Sequence, residues 1–204
     1  MEASSLTSYH LDILKEIGNI GAGNAATALA KLIDKKVDMK VPQVRIMGFS
    51  EISDVLGGAE TPVVGVLLGI HGDISGYILF LLEEKAAHIL VNLLMGKKAD
   101  DEFEYNEISL SALKEVGNIL TGSYLSSLSI LTNLSIVSGV PDIAIDMAGA
   151  ILSVPAIEFA TTADVVLYIE TEFAEGDKSV IGDFFLVPDS ASYIKLLKTL
   201  GAMC

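Results

Sequence analysis

The side chains best suited to chemistry in this chain recur in one pattern: Asp12, Glu16 and Asn19, then Ser111, Glu115 and Asn118. At about 100° per helical residue, Glu16 and Asn19 stand about +40° and −20° from Asp12, so one helix face would carry all three. A carboxylate accepts hydrogen bonds and pairs with cations. A carboxamide holds a water or an oxyanion without bringing negative charge to it. Leu14, Ile17, Gly21, Ala25 and Ala28 fall on the opposite side of the same helix and must meet a core. These grounds leave two readings open: a solvated helix face, and a functional face that two diverged copies have both kept.

The copies belong to a longer repeat. Leu14-Lys15-Glu16-Ile17-Gly18-Asn19-Ile20 returns as Leu113-Lys114-Glu115-Val116-Gly117-Asn118-Ile119, 99 residues later. Gly23 then meets Gly122, Leu29 meets Leu128, and Val41-Pro42 meets Val140-Pro141 without a gap. Between 12–29 and 111–128, eight of eighteen positions are identical, more than chance supplies, so the match points to tandem duplication. Gly76 to Phe80 answers Gly182 to Leu186 at an offset of 106, which places an insertion in the second half.

Other chemistries fail on their motifs. Gly18-Asn19-Ile20-Gly21-Ala22-Gly23 lies inside a helical pattern, whereas a dinucleotide or phosphate loop follows a strand and opens a helix. Each interior glycine costs a helix about 1 kcal/mol relative to alanine, and close approach of helix to sheet or to helix is the expected return. There is no Gly-x-Ser-x-Gly elbow and no His-Glu-x-x-His pair. His10, His71 and His88 are scattered, and the one cysteine, Cys204, ends the chain, so neither a disulfide framework nor a zinc cluster is expected. Asp142 and Asp146 near a strand, and Asp73 and Asp177 at turns, read as surface carboxylates. The serines between Ser123 and Ser129 read as polar lining of a helix contact.

The elements that must hold the pattern follow from periodicity. Residues 9–34 and 107–133 show helical spacing, behind Ser8 and Asn106 as N-caps. Branched residues bounded by Gly, Pro and Asp predict strands at 37–46, 63–70, 74–82, 136–145, 165–173 and 180–187. His71-Gly72-Asp73 and Glu175-Gly176-Asp177 predict hairpin turns, and helices at 83–95 and 190–200 close each half before Gly96 and Gly201. Each half thus reads helix, strand, strand, strand, helix. The expectation is an α+β fold: a duplicated unit with pseudo-twofold symmetry, and a continuous, largely antiparallel sheet with long helices packed on it. One domain over 1–204 is expected, its repeats at about 9–96 and 107–201 joined by an acidic connector, 97–106.

Composition narrows the class. Thirteen Lys and Arg stand against 27 Asp and Glu, a formal charge of −14, which argues against a nucleic-acid partner. Hydrophobic residues at 51% with charged residues at 20% reject disorder. No apolar run reaches the length of a membrane span, and residues 1–10 are polar where a signal peptide would be apolar, so a cytoplasmic location is expected.

Asp12-x-x-x-Glu16-x-x-Asn19 and Ser111-x-x-x-Glu115-x-x-Asn118 resemble the paired Asp/Ser-x-x-x-Glu-x-x-Asn signature of the CheC, CheX and FliY phosphatases of bacterial chemotaxis. Lys15 to Ala26 is especially similar to the CheC branch, and the resemblance runs over nearly the whole chain. It implies hydrolysis of the aspartyl phosphate of the response regulator CheY, with catalytic Glu16 and Asn19 at one site and Glu115 and Asn118 at the other. Asp12 and Ser111 would support substrate binding. It further implies no cofactor and no metal of the chain's own, Mg²⁺ residing in the regulator, and a complex with the receptor deamidase CheD. No FliY-like switch domain is expected after Cys204, and no regulator-docking peptide in the short N-terminus. A non-catalytic adaptor that binds the regulator or CheD is the alternative, and ligand sensing between the halves is a third reading.

Overall fold

The computed structural model describes residues 7–48, 51–159, 166–175 and 178–201. Its two long helices, α1 (Ser8–Ile33) and α4 (Glu107–Thr132), are each 26 residues and stand 99 residues apart at both ends. Each stops in the left-handed conformation, at Asp34 (φ 52°) and Asn133 (φ 55°). Such a residue ends a helix by turning the chain out of its hydrogen-bond ladder. α4 starts where expected: Asn106 Oδ1 accepts from the N–H groups of Ile108 and Ser109, both at 3.0 Å. Ser109 Oγ accepts in return from Asn106 N–H at 2.8 Å. α1 starts one residue earlier than expected. Thr7 is its N-cap, with its N–H donating to His10 Nδ1 at 3.0 Å, and Ser8 is already helical.

Between and after these helices come β1 (Asp38–Met47), α2 (Ile52–Val55), β2 (Pro62–Gly72), β3 (Gly76–Glu83) and α3 (Glu84–Leu94) in the first half. The second half supplies β4 (Ile136–Ser138), β5 (Asp142–Met147), α5 (Ala148–Phe159), β6 (Val166–Glu175), β7 (Lys178–Pro188) and α6 (Ser190–Gly201). Three features depart from the sequence expectation. The strand expected at 136–145 is two strands on β2, broken after Gly139 N–H donates to Gly69 C=O at 2.8 Å, where residues 139–141 stand against only two residues of β2 and shift the register. A helix stands between first and second strand in each half, α2 and the longer α5, where none was expected. Gly201 belongs to α6 rather than following it, whereas Gly96, at φ 71°, does follow α3. The turn residue Asp177 and the terminal Cys204 lie outside the described residues.

All pairings are antiparallel and form a single sheet in the order β1-β6-β7-β3-β2-β4, with β5 also on β2. The halves meet at β3 and β7, where Leu79 lies opposite Phe185. Their first strands are exchanged: β1 pairs with β6 of the second half, and β5 pairs with β2 of the first. Neither half therefore completes its sheet alone.

One sheet face carries Ile78, Phe80, Leu82, Leu167, Ile169, Phe184 and Leu186 into the main core under α1, α4, α3 and α6. The alternate residues, among them Leu79, Leu81, Tyr168 and Phe185, form a smaller core on the other face with Ile52 of α2 and Ala148, Ile151 and Leu152 of α5. The antiparallel sheet with long helices on one face is as expected; short helices on the opposite face are not.

α1 and α4 pack directly on one another. A Cβ built on Gly21 would lie 3.0 Å from the Tyr124 Cα, so the helices touch backbone to backbone there. On Gly18 it would lie 3.2 Å from Val41 Cγ2, and on Gly117 2.8 Å from Val66 Cγ1. These three glycines let helices seat closely on each other and on the sheet, which offsets their cost in helix propensity.

Candidate functional site

The buried stripe of α1 runs Leu14, Ile17, Gly18, Gly21, Ala22, Ala25 and Leu29, and the opposite face is left to solvent. Asp12 and Glu16 are exposed on that face, and Asn19 sits half-buried at its edge. α4 repeats the arrangement, with Ser111 and Glu115 exposed and Asn118 half-buried. Each expected triad is therefore presented along one helix surface. Exposed apolar residues flank them: Tyr9 and Ile20 on α1, and Ile108 on α4.

The two asparagines differ in their support. Asn19 Oδ1 accepts the backbone N–H of Val41 on β1 at 2.9 Å. That donor fixes which end of the amide faces the sheet, so the Nδ2 group is directed away from it. The bond forms because Gly18, with no side chain, lets α1 settle on Val41. Among the described residues Asn118 has no such bond. Val140, the sequence counterpart of Val41, is 85% exposed where Val41 is 3% exposed, because the break between β4 and β5 carries it off the sheet. The Val-Pro match at an offset of 99 thus joins residues in unlike surroundings. The role of Val41 is carried by its main chain and left no signal in residue type.

Among the described residues no three His, Cys, Asp or Glu side chains come together as a metal site. Asp73 acts structurally: it accepts from Ser135 N–H at 2.8 Å and pairs with Lys195, tying the β2–β3 turn to β4 and α6. The Lys195 ammonium and Ser135 N–H hold its carboxyl below the ordinary range. His88 stacks on Phe103, with centroids 4.2 Å apart, and meets Tyr105 edge-on, so the acidic connector is clasped to α3 by aromatic contacts. Burial next to Glu84 pushes Tyr105 up to about 12.

Sequence patterns had not marked one polar cluster, on the sheet face away from α1 and α4. Tyr168 Oη reaches Asp183 Oδ1 at 2.8 Å and Glu170 Oε2 at 3.2 Å, and the Arg45 guanidinium lies 4.8 Å over the Tyr168 ring. Burial, with Glu170 and Glu83 nearby, pushes Asp183 up to about 6. These residues come from β1, β6, β3 and β7 and converge only through strand register, which no local spacing announces.

Comparison with known proteins follows the same two helices. The CheC-like family model matches residues 10–46 and 108–145, each a long helix and the strands after it. The chain is 37% identical over 203 residues to the CheY-P phosphatase CheC of Bacillus subtilis (strain 168), covering 98% of this chain and 97% of that one. This chain belongs to the CheC-like family. Among solved structures, Thermotoga maritima FliY superposes with a TM-score of 0.77 at 26% identity, covering 97% of this chain and 98% of that one. The FliM middle domain of H. pylori shares the fold at a TM-score of 0.68 and 13% identity, covering 95% of this chain and 99% of that one. Among the described residues no helix of this CheC-like protein is long and apolar enough to cross a membrane.

Proposed function

We propose that this CheC-like protein hydrolyses the aspartyl phosphate of the chemotaxis response regulator CheY. Family membership and the activity named for the B. subtilis relative support the reading. The observation that carries it is the pair of exposed faces, each offering a carboxylate and a carboxamide one turn apart.

An aspartyl phosphate held by a regulator already has Mg²⁺ and a lysine at its oxygens, so the phosphatase need only place a water in line with the phosphorus–oxygen bond. Asn19 and Asn118 suit that task. A carboxamide hydrogen-bonds the water and the phosphoryl oxygens, whereas a carboxylate in its place repels the phosphoryl oxygens. With Oδ1 turned to Val41, Asn19 offers its Nδ2 donors outward and still has a second lone pair on Oδ1. Glu16 and Glu115 pair with the regulator's lysine and orient the docked surface. Asp12 and Ser111 support that contact, and Tyr9, Ile20 and Ile108 add apolar area beside it. The chain supplies half of an active site and uses no cofactor of its own.

Phosphate release from purified phosphorylated CheY tests this directly. The chain accelerates release, Asn19→Ala or Asn118→Ala removes one half's share, and the double variant returns the regulator to its own decay rate. A folded double variant as active as the parent overturns the mechanism. CheD is the second partner in this reading, bound in the cytoplasm where the regulator works. Retention of CheD by the Asn19→Ala/Asn118→Ala double variant would separate that role from catalysis.

A further inference from the structure

Five glycines lie inside α1 and α4, and the fold accounts for three of them. Gly18, Gly21 and Gly117 sit where a Cβ would press on Val41, Tyr124 or Val66. At Gly23 and Gly122 a Cβ would meet nothing within 4 Å, and neither residue has the positive φ that favours glycine. Alanine would fit both places and make the better helix. The two glycines are equivalent across the repeat, each four residues after the asparagine of its triad. Gly23 stands about 40° around the helix from Asn19 and about 6 Å along it, on the stripe that also carries Asp12 and Glu16.

Two helix-weakening glycines at one repeated place, Gly23 exposed and Gly122 half-buried, with open space where a Cβ would stand and no use inside the protein, point to a use outside it. We infer that Gly23 and Gly122 are contact residues of the docking surface, where the phosphorylated regulator packs against bare helix backbone beside Asn19 and Asn118. The occupant follows from continuity: the glycines extend the same stripe as the triads, so the inference rests on the proposed function. A missing side chain leaves a notch one turn beyond each asparagine. It lets the partner's surface seat against the helix backbone beside each triad, which tightens docking equally before and during the reaction. Since contact is made only on docking, these are binding and not catalytic residues.

The test separates stability from docking, which change in opposite directions. Gly23→Ala and Gly122→Ala each raise the melting temperature by roughly 2–4 °C. The double Ala variant raises the KM for phosphorylated regulator by about threefold or more, and Gly23→Gln/Gly122→Gln by about tenfold or more, with the rate at saturating regulator retained. A KM within about twofold of the parent in the active double Gln variant overturns the inference. So does a parent dimer that the Ala variants dissociate, since the glycines would then serve contact between copies. If the parent itself fails to accelerate phosphate release, the proposed function falls, and calorimetry with the regulator and beryllofluoride, an acyl-phosphate mimic, decides the glycines separately. Parent binding weakened by the Gln changes upholds them, while unaltered binding, or none by the parent, overturns them.

Discussion

Asn19 holds the backbone N–H of Val41 at 2.9 Å through its side-chain oxygen, and so fastens the candidate catalytic face of α1 to strand β1. Val41 is 3% exposed, so removing the amide takes away the acceptor of a buried N–H. An unsatisfied buried donor costs about 1–3 kcal/mol. Asn19→Ala therefore lowers stability by about 1–2 kcal/mol, or roughly 2–8 °C in melting temperature, while Asn118→Ala stays within about 0.5 kcal/mol of the parent. Thermal and urea unfolding of the two single variants check this. Equal losses would mean that the asparagines are anchored alike.

The contact between α1 and α4 gives a second expectation. A methyl on Gly21 would lie 3.0 Å from the Tyr124 Cα and 3.3 Å from the Ser123 carbonyl oxygen, both backbone atoms with no rotamer by which to yield. The helices must separate, and overpacking of this kind costs about 1–3 kcal/mol. Gly21→Ala is thus destabilising although alanine is the better helix former, the reverse of the sign expected at Gly23 two residues on. Urea midpoints of the two variants measured together decide it. A stabilised Gly21→Ala would show that the helices part freely.

The contrast between Gly21 and Gly23 shows where sequence reading stops. Residue type and period identified α1, α4, the strands and both triads, because buried and exposed positions on a long helix alternate with a period the sequence prints. Crowding of glycines in one helix grouped Gly23 with the packing glycines, although the helical period sets it on the side of Asp12 and Glu16, and the neighbour each would strike separates them. The break between β4 and β5 was hidden because branched residues flank it on both sides, at Ile136-Val137 and at Ile143 and Ile145, and because its Val140-Pro141 repeats the Val-Pro that lies inside β1. α5 was hidden for a different reason: Ala148 to Phe159 is apolar nearly all round and holds Pro155, so it shows no amphipathic period. The exchange of β1 and β5 between halves has no local signature, since strand partners are chosen by long-range packing.

The proposed function places the Mg²⁺ in the regulator. On that reading, calorimetric titration of this chain alone is expected to show no saturable heat up to low millimolar Mg²⁺, and chelation is expected to abolish phosphate release only through the partner. A stoichiometric isotherm for the isolated chain would assign it a metal of its own, against the dispersed carboxylates of its described surface.

Asp183 makes stability depend on pH in a direction its position fixes. It is 9% exposed, and burial, together with Glu170 and Glu83, lifts its carboxyl from 3.8 to about 6, against the opposing pull of the Tyr168 hydroxyl and Arg45. A folded-state value above the unfolded one means that the folded protein binds the proton more tightly. The contribution to stability is fully present below about pH 4 and is lost as pH rises through about 6, where folding must hold a buried charge. A rise of about two pH units corresponds to about 3 kcal/mol at most, shared with the groups around it. Asp183→Asn removes the titration and leaves an amide oxygen to accept from Tyr168 Oη. The variant should be more stable than the parent by about 1–3 kcal/mol at pH 7.5, and the advantage should shrink toward zero near pH 4. Urea unfolding of parent and variant at pH 4, 5.5 and 7.5 measures it. A difference that does not change with pH would mean that Asp183 is ionised in the folded protein throughout, with Arg45 and Tyr168 outweighing its burial.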